Sequence, residues 1–338
     1  MEKVKISQRT ILFTLAALLL LIGLYIARTI FLTSLIGIGL GVLIAPVLSK
    51  FRERFNLPRS FSAFLVFFFI LLIVTGVGAV CYFLVAEQVS NLIDRGPELI
   101  QQLESWFTDL FSRFPQIEKQ FGKINFAGSL QSSFENIFLG FQKGITALSG
   151  LFFIVVIGLF TAVNAREYFK DAVEAFPPRR RERAGELLLS SAKVLRGWFI
   201  AQLMDMMVVA VMTAVGLWIV GVEYWALIGV LAAVLCIIPY VGIISVVILG
   251  TLITLASNPS QVPWVLLVFL VTQQVEGNLI LPVIMKGKAH LPEVVLLIFM
   301  FFMGTYFGFL GLFIAPPLLA VLRNLYIEVY LPRINAQT

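Results

Sequence analysis

The chain has 338 residues, of which 59% are hydrophobic and only 13% are charged, and its mean hydropathy is +0.97. This composition excludes an ordinary water-soluble domain, because such a chain needs lipid to cover its surface. The net charge of +6 does not indicate nucleic acid, since the basic residues gather mainly where anionic lipid headgroups would attract them. We therefore expect an all-α, polytopic membrane protein.

Long runs without a charged residue cover most of the chain, and each can form at least one membrane crossing. They are residues 10–27, 29–49, 60–86, 144–165, 224–275 and 294–322, and residues 197–222 join them with one interruption at Asp205. The first run lacks a small-residue cleavage site and is followed at once by the second, so we interpret it as a retained helix. Cys81 and Cys236 lie in apolar runs and indicate neither a disulfide framework nor a zinc site.

Lysine and arginine predict the orientation of the first helices. Basic residues flank both ends of the N-terminal hairpin and place them in the cytoplasm, namely Lys3, Lys5, Arg9, Lys50, Arg52, Arg54 and Arg59. Arg28 marks the short outer turn between the two helices. Residues 1–86 thus form the N-terminal membrane helices, and residues 87–143 form an extracytoplasmic region in which acids and bases are nearly balanced.

Two amphipathic helices are predicted in the extracytoplasmic region. Apolar residues recur at steps of three and four in Leu99, Leu103, Trp106, Leu110 and Phe114, and again in Leu130, Phe134, Ile137, Phe138 and Phe141. We expect their apolar faces to pack in the core. The outer leaflet and a neighbouring subunit are the alternatives.

Residues 144–196 are predicted to form a membrane helix followed by a basic cytoplasmic helix. The basic helix starts after Pro177 and Pro178 with Arg179, Arg180, Arg181 and Arg183. Cations at a helix N-terminus oppose the helix dipole, which favours contact with lipid headgroups. A solvated charge cluster that only sets the topology is the alternative.

Residues 197–325 form the predicted transport core, in which two apolar stretches are broken near their middle. Pro239, Tyr240 and Gly242 interrupt the first stretch, and Gly304, Gly308 and Gly311 interrupt the second. Arms of this length fall short of the bilayer core, so we expect two re-entrant helical hairpins that act as gates. Full crossings, or one kinked helix for the second stretch, are the alternatives. Residues 326–338 are expected to be a cytoplasmic tail.

Two acids lie within apolar sequence in this core. Glu276 is the only charged residue between Glu223 and Lys286, and an intramembrane carboxylate is costly unless it meets a partner or a wet cavity. Gln273 lies three residues before Glu276, while Asn278 lies four residues after Gln274. Asp205 follows Gln202 by one turn. We predict a solute or ion site formed by Glu276, Asp205, Gln273, Gln202 and Asn278, against the alternative that the carboxylates only tie helices together. His290 near Lys286 and Lys288 is interpreted as an exposed loop residue.

Several of these segments resemble the autoinducer-2 exporter family of bacterial membrane proteins. The resemblance is carried by Ile238-Pro239-Tyr240-Val241-Gly242, by Gln273-Gln274-Val275-Glu276-Gly277-Asn278 and by Pro282, in that order. It implies an inner-membrane transporter with about eight hydrophobic segments and a ring-like homo-oligomer, with a pentamer as one form. Asp205 departs from the apolar residue expected there, which leaves open whether an ion or proton site has been added.

The sequence thus favours a secondary transporter that exports a small polar solute by alternating access, driven by a proton or sodium ion or by none. The alternatives are a monovalent cation/proton antiporter, a non-transporting envelope scaffold and a channel. No ATP-binding phosphate loop, zinc-protease spacing or nucleophile elbow is present in the sequence. We therefore expect no enzyme activity, no cofactor and no metal.

Overall fold

The computed structural model describes residues 27–113, 150, 152–280 and 292–335, and every regular element in these ranges is a helix. Within the described residues, four helical stretches are long and apolar enough to cross a membrane by length and composition, or five if two short helices joined at a bend of 75° count as one crossing. One of the four, Glu293–Tyr330, is bent at Gly308 and is treated below as a hairpin. The prediction of an all-α, polytopic membrane protein is confirmed. The first predicted membrane helix, up to residue 26, and the second amphipathic helix of the extracytoplasmic region lie outside the described residues.

The described part of the chain forms helices α1 to α11. They are α1 Arg28–Phe55, α2 Arg59–Asp94, α3 Gly96–Arg113, α4 Phe152–Val163, α5 Ala165–Glu174, α6 Arg181–Val220, α7 Trp225–Leu235, α8 Val241–Ser257, α9 Val262–Val275, α10 Glu293–Leu325 and α11 Leu331–Asn335. Short 3₁₀ segments, Pro178–Arg180 and Pro259–Gln261, precede α6 and α9, and each starts with a proline, whose missing N–H is not needed there. Two π-helical segments, Glu276–Ile280 and Tyr326–Tyr330, extend α9 and α10.

The chain divides into two compact units, and the first consists of Met1–Val47, Gly150–Leu195 and Leu291–Thr338. In it α1 and α4 pack closely through glycines. A Cβ atom on Gly37 would lie 2.7 Å from the Cβ of Ile157, and one on Gly41 would lie 2.5 Å from the Cβ of Thr161. Small residues at this spacing let membrane helices approach backbone to backbone.

The second predicted hairpin is present in the first unit, because α10 folds back on itself at Gly308. The backbone of Gly308 has φ 64° and ψ −146°, a conformation that is essentially restricted to glycine. A Cβ on Gly311 would lie 2.1 Å from the carbonyl oxygen of Met303, whereas eight residues of straight helix would separate them by about 12 Å. The arms, residues 293–307 and 309–325, are about 22 and 26 Å long, shorter than the roughly 30 Å hydrocarbon core.

The second unit consists of Leu48–Ser149 and Arg196–His290. Its core is apolar and combines residues of α2, α3, α6, α7, α8 and α9. Leu99 and Leu103 of the amphipathic helix α3 are fully buried in this core, whereas Trp106 is 45% exposed. In this unit the apolar face of α3 therefore packs on its own chain, as the core-packing interpretation expects.

Candidate functional site

The tip of the first hairpin lies between α7 and α8, and its geometry requires a glycine. The amide of Gly242 donates to the carbonyl oxygen of Ile238 at 2.9 Å. A Cβ on Gly242 would lie 2.0 Å from the carbonyl oxygen of Leu235, which is too close for any side chain. The arms α7 and α8 have 11 and 17 residues, about 16 and 26 Å, so both are short for a membrane crossing.

Tyr240 occupies a strained position at this tip. Its backbone has φ 63° and ψ −53°, and the amide of Val241 donates to the carbonyl oxygen of Pro239 at 2.7 Å. This is a γ-turn with a positive φ at its central residue. It is rare, because this conformation costs a residue with a side chain of the order of 1–3 kcal/mol. The break predicted from Pro239 and Gly242 is thus a tight turn centred on Tyr240.

Helix α6 brings a polar side chain to the end of α7. Gln202 donates from Nε2 to the carbonyl oxygen of Cys236 at 2.9 Å. Asp205 lies three residues further on and is therefore on the same side of α6. The two helices are close because Gly229 has no side chain, and a Cβ there would lie 2.6 Å from the Cβ of Ala214.

The end of α9 supplies the second half of the polar cluster. Gln273 donates from Nε2 to Oε2 of Glu276 at 3.2 Å. Glu276 begins the π-helical segment Glu276–Ile280, and π-turns inside longer helices are frequent at functional sites. Gly216 lets α9 approach α6, since a Cβ on it would lie 2.6 Å from Val268.

The two carboxylates lie near one another. Asp205 and Glu276 are close enough for their charges to interact, and both also interact electrostatically with the thiol of Cys236 at the hairpin tip. Among the residues that the structure describes, neither acid forms an ion pair with a lysine or arginine. Oδ1 of Asp205 and Oε1 of Gln273 are buried without a hydrogen-bond partner. Such oxygens are costly to bury unsatisfied, so this cluster can accept protons, a cation or the hydroxyl groups of a polar solute.

Asn278 does not join this cluster. It donates from Nδ2 to Oε1 of Gln274 at 3.0 Å, and both residues are exposed. The structure therefore brings together Gln202, Asp205, Gln273 and Glu276 and places Asn278 in a separate, exposed pair. Pro282, Lys286, Lys288 and His290 lie outside the described residues.

The four predicted headgroup arginines differ in their contacts. Arg181 donates to the carbonyl oxygens of Phe176 at 3.1 Å and Glu174 at 3.2 Å. Arg183 contacts Glu186 at 2.7 Å and the carbonyl oxygen of Glu328 at 2.8 Å. Arg179 and Arg180 are exposed and have no contact of this kind within the described part of the chain. Only these two present their whole guanidinium groups to an outside ligand.

Two contacts at the other end of the first hairpin were not predicted. Gln88 of α2 accepts a hydrogen bond at Oε1 from the amide of Leu227 at 2.9 Å, which satisfies a first-turn donor of α7. Arg95 contacts both carboxylate oxygens of Glu223 at 2.8 and 3.0 Å, and this carboxylate raises the pKa of Arg95. The position of Glu223, the last charge before the hairpin, is the only sequence signal for this clamp.

Comparison with known proteins gives a consistent result. The sequence model of a protein family, described as "AI-2E family transporter", matches residues 14–330 of this chain. The chain is 22% identical over 318 residues to "Putative transport protein YueF" of Bacillus subtilis, which covers 89% of this chain and 84% of that protein. It is 23% identical to "Putative transport protein YrrI" of the same species, with 90% and 87% covered. It is 24% identical over 253 residues to "Putative permease PerM" of Escherichia coli, with 70% of each chain covered.

Proposed function

Because the chain belongs to the AI-2E transporter family and is a multi-pass membrane transporter, we propose that it exports a small polar solute by alternating access. The solute class is an autoinducer-2-like signal or a metabolite of similar polarity. The proposed membrane is the bacterial inner membrane, with both termini in the cytoplasm. We assign the chain no enzymatic role.

The observation that carries this proposal is the unpaired acidic cluster at the tip of the first hairpin. Asp205 and Glu276 interact with one another and have no basic partner in the described part of the chain. A structural carboxylate in an apolar setting is normally neutralised by a cation or saturated with donors. Here Oδ1 of Asp205 and Oε1 of Gln273 are left without donors, as a site that receives a ligand requires.

Each residue has a defined role in this proposal. Glu276 is the central ligand and accepts hydrogen bonds from solute hydroxyl groups, while Gln273 orients it through the bond of 3.2 Å. Gln202 fixes the hairpin tip next to Asp205. Asp205 adds a second acceptor or a proton acceptor. Together these groups replace part of the hydration shell of the solute near the middle of the bilayer.

The two hairpins are the proposed gates. Alternating access requires elements that change conformation on either side of a central site. The strained turn at Tyr240 has a backbone that can relax to an ordinary conformation, and the reversal at Gly308 has a residue without side-chain restriction. Pro239, Gly242, Gly304 and Gly311 shape these two turns.

The proposal is tested by comparing metabolites released from cells that express the protein or its variants. Glu276→Gln and Asp205→Asn keep the size of the side chain and remove the charge, and we expect each to reduce release of the transported solute at least tenfold. Asp171→Asn, an exposed acid of α5, serves as a matched control and should release at the wild-type rate. Wild-type release by both site variants, at equal membrane levels, contradicts the proposal.

A monovalent cation/proton antiporter is the second candidate. It is favoured by two acids in one cluster together with the unpaired oxygens of Asp205 and Gln273, a set of hard oxygen ligands. Rescue of a sodium-sensitive, antiporter-deficient host by the wild type, and loss of rescue in Asp205→Asn, would support this function. If the wild type does not rescue this host but does release solute, the result supports the exporter.

The family also suggests the remaining partners. We propose a homo-oligomer, with a pentameric ring as one form, and contact between Arg179, Arg180, Arg181, Arg183 and anionic lipid headgroups. The exposed pair Arg179 and Arg180 carries most of this contact, since Arg181 and Arg183 are engaged within the chain.

A further inference from the structure

A polar network joins the end of α10 to the N-terminal part of α6 within the first unit. The hydroxyl of Ser190 donates to the carboxylate of Glu328 and accepts a bond from Nδ2 of Asn324 at 3.0 Å. Nδ2 of Asn324 is also 3.5 Å from Oγ of Ser191. Oγ of Ser190 also lies 3.2 Å from Oδ1 of Asn324, so its single hydroxyl proton has two acceptors within reach, Glu328 and Asn324. These groups are partly buried, so the network is a specific contact.

Arg183 adds a charge to the same network. Its Nη2 donates to the backbone carbonyl oxygen of Glu328 at 2.8 Å and lies 3.8 Å from Oε2 of the same residue. The carboxylate of Glu328 is 31% exposed, so this contact is only partly screened by solvent. Glu328 therefore receives both a hydroxyl donor and a guanidinium from α6.

Glu328 is unexpected at this place in the chain. It is the only acid between Glu293 and the last residue of the sequence, in a region predicted to face the cytoplasm, where bases are the rule. It lies in the π-helical segment Tyr326–Tyr330, directly after the return arm of the second hairpin. π-Helical turns are rare and concentrate at functional positions.

The opposite end of the hairpin has a contact of its own. Arg28 donates from Nη1 to the carbonyl oxygen of Tyr306 at 3.0 Å. This carbonyl belongs to the last turn before the reversal at Gly308, where helical partners run out. The second hairpin is thus bound by polar contacts near its tip and at the end of its return arm.

We propose that Glu328 is a positioning residue for the second hairpin: it fixes the return arm to α6 and is released when the hairpin moves. This role rests on the proposed function, in which that hairpin is a gate. Arg183 and Ser190 supply the contacts that Glu328 must break. Asn324, one turn earlier on the same arm, aligns the arm so that Glu328 reaches both of them.

Hydrogen–deuterium exchange of the full-length protein in lipid nanodiscs tests this role without any solute. We expect Glu328→Ala to speed exchange in peptides covering residues 309–330 by roughly three- to tenfold, because the arm loses its charged acceptor. Glu328→Gln keeps an acceptor for Ser190 and should show a smaller increase. Glu293→Gln, an exposed acid on the other arm, should leave exchange unchanged.

The first hairpin, residues 225–257, provides an internal reference in every sample. Faster exchange confined to residues 309–330 supports the positioning role. Unchanged exchange there in Glu328→Ala, or an equal increase in both hairpins, overturns it, since the second result is general destabilisation. The experiment is independent of solute release, so the positioning role and the proposed transport function can fail separately.

Discussion

Gln202 donates a hydrogen bond to the carbonyl oxygen of Cys236 at 2.9 Å, so a side chain of α6 holds the residue that follows the last turn of α7. The carbonyl groups at a helix end have no intrahelical donor and need partners from elsewhere. Gln202 supplies such a partner at Cys236, the residue with which Asp205 and Glu276 interact electrostatically. A hydrogen bond therefore joins the hairpin tip to α6, the helix that contains Asp205.

Gln202→Leu tests this connection. The substitution keeps most of the side-chain volume and leaves the Cys236 carbonyl without its donor, so we expect the free energy of unfolding to fall by about 1–3 kcal/mol. The measurement is denaturant unfolding in detergent micelles. Gln102→Leu, at an exposed position of α3, is the control and should change the free energy by less than about 0.5 kcal/mol. Equal values for the two variants would mean that the bond does not hold the tip.

Gly242→Ala should be among the most damaging small substitutions in the chain. The added Cβ would lie 2.0 Å from the carbonyl oxygen of Leu235, a backbone atom that cannot rotate away. We expect a loss of about 3 kcal/mol or more in unfolding free energy, or failure to accumulate in the membrane. Gly76→Ala is the matched control, because nothing lies within 4 Å of its Cβ position and alanine favours the helix. Normal stability of Gly242→Ala would contradict the tight tip.

Local signals in the sequence predicted the elements of the fold well. Pro239 with Gly242 predicted a break, and the chain turns there, since proline removes an amide donor and only glycine fits beside Leu235. The second break was expected among Gly304, Gly308 and Gly311, and it lies at Gly308. The lone charges of Asp205 and Glu276 identified the two acids that interact electrostatically in the structure.

Tertiary contacts were beyond reach of those signals. The partner of Gln202 is a backbone carbonyl 34 residues away, and no side-chain pattern marks it. Asn278 was assigned to the cluster, although its contact in the structure is the one with Gln274 that the spacing of four residues had already indicated. Arg183 was assigned to lipid headgroups or to a solvated charge cluster, and its contact with Glu328 was not predicted, because that contact spans 145 residues and depends on how α10 folds back. Spacing along one helix does not predict contacts between residues that lie 34 or 145 positions apart in the chain.

The strain at Tyr240 gives a prediction with an unusual sign. Tyr240→Ala and Tyr240→Gly both remove the ring, but only glycine adopts φ 63° without cost. We expect the glycine variant to be more stable than the alanine variant by about 1–2 kcal/mol. This is the reverse of the usual order, in which alanine is the more stabilising residue because glycine loses more backbone entropy on folding. Thermal unfolding of the two purified variants measures this difference. A more stable alanine variant would show that the turn relaxes without strain.

The two acids give the prediction that best separates a transport site from a structural one. Asp205 and Glu276 repel one another without a basic partner in the described part of the chain. Asp205→Asn or Glu276→Gln removes the cost of burying one carboxylate together with the repulsion between the two acids, so we expect the unfolding free energy to rise by about 0.5–2 kcal/mol while solute release falls. The double variant should gain less than the sum of the single gains, because either substitution already removes the repulsion.

Acids that only tie helices together would behave in the opposite way. Removing one would break a bond that holds the fold, so stability and release would fall together. Unfolding and release are therefore measured on the same preparations of Asp205→Asn, Glu276→Gln and the double variant, with Asp171→Asn as the exposed control. Higher stability with lower release identifies oxygens that are kept available for a ligand at a cost to the fold, which is the property that the unpaired Oδ1 of Asp205 already indicates.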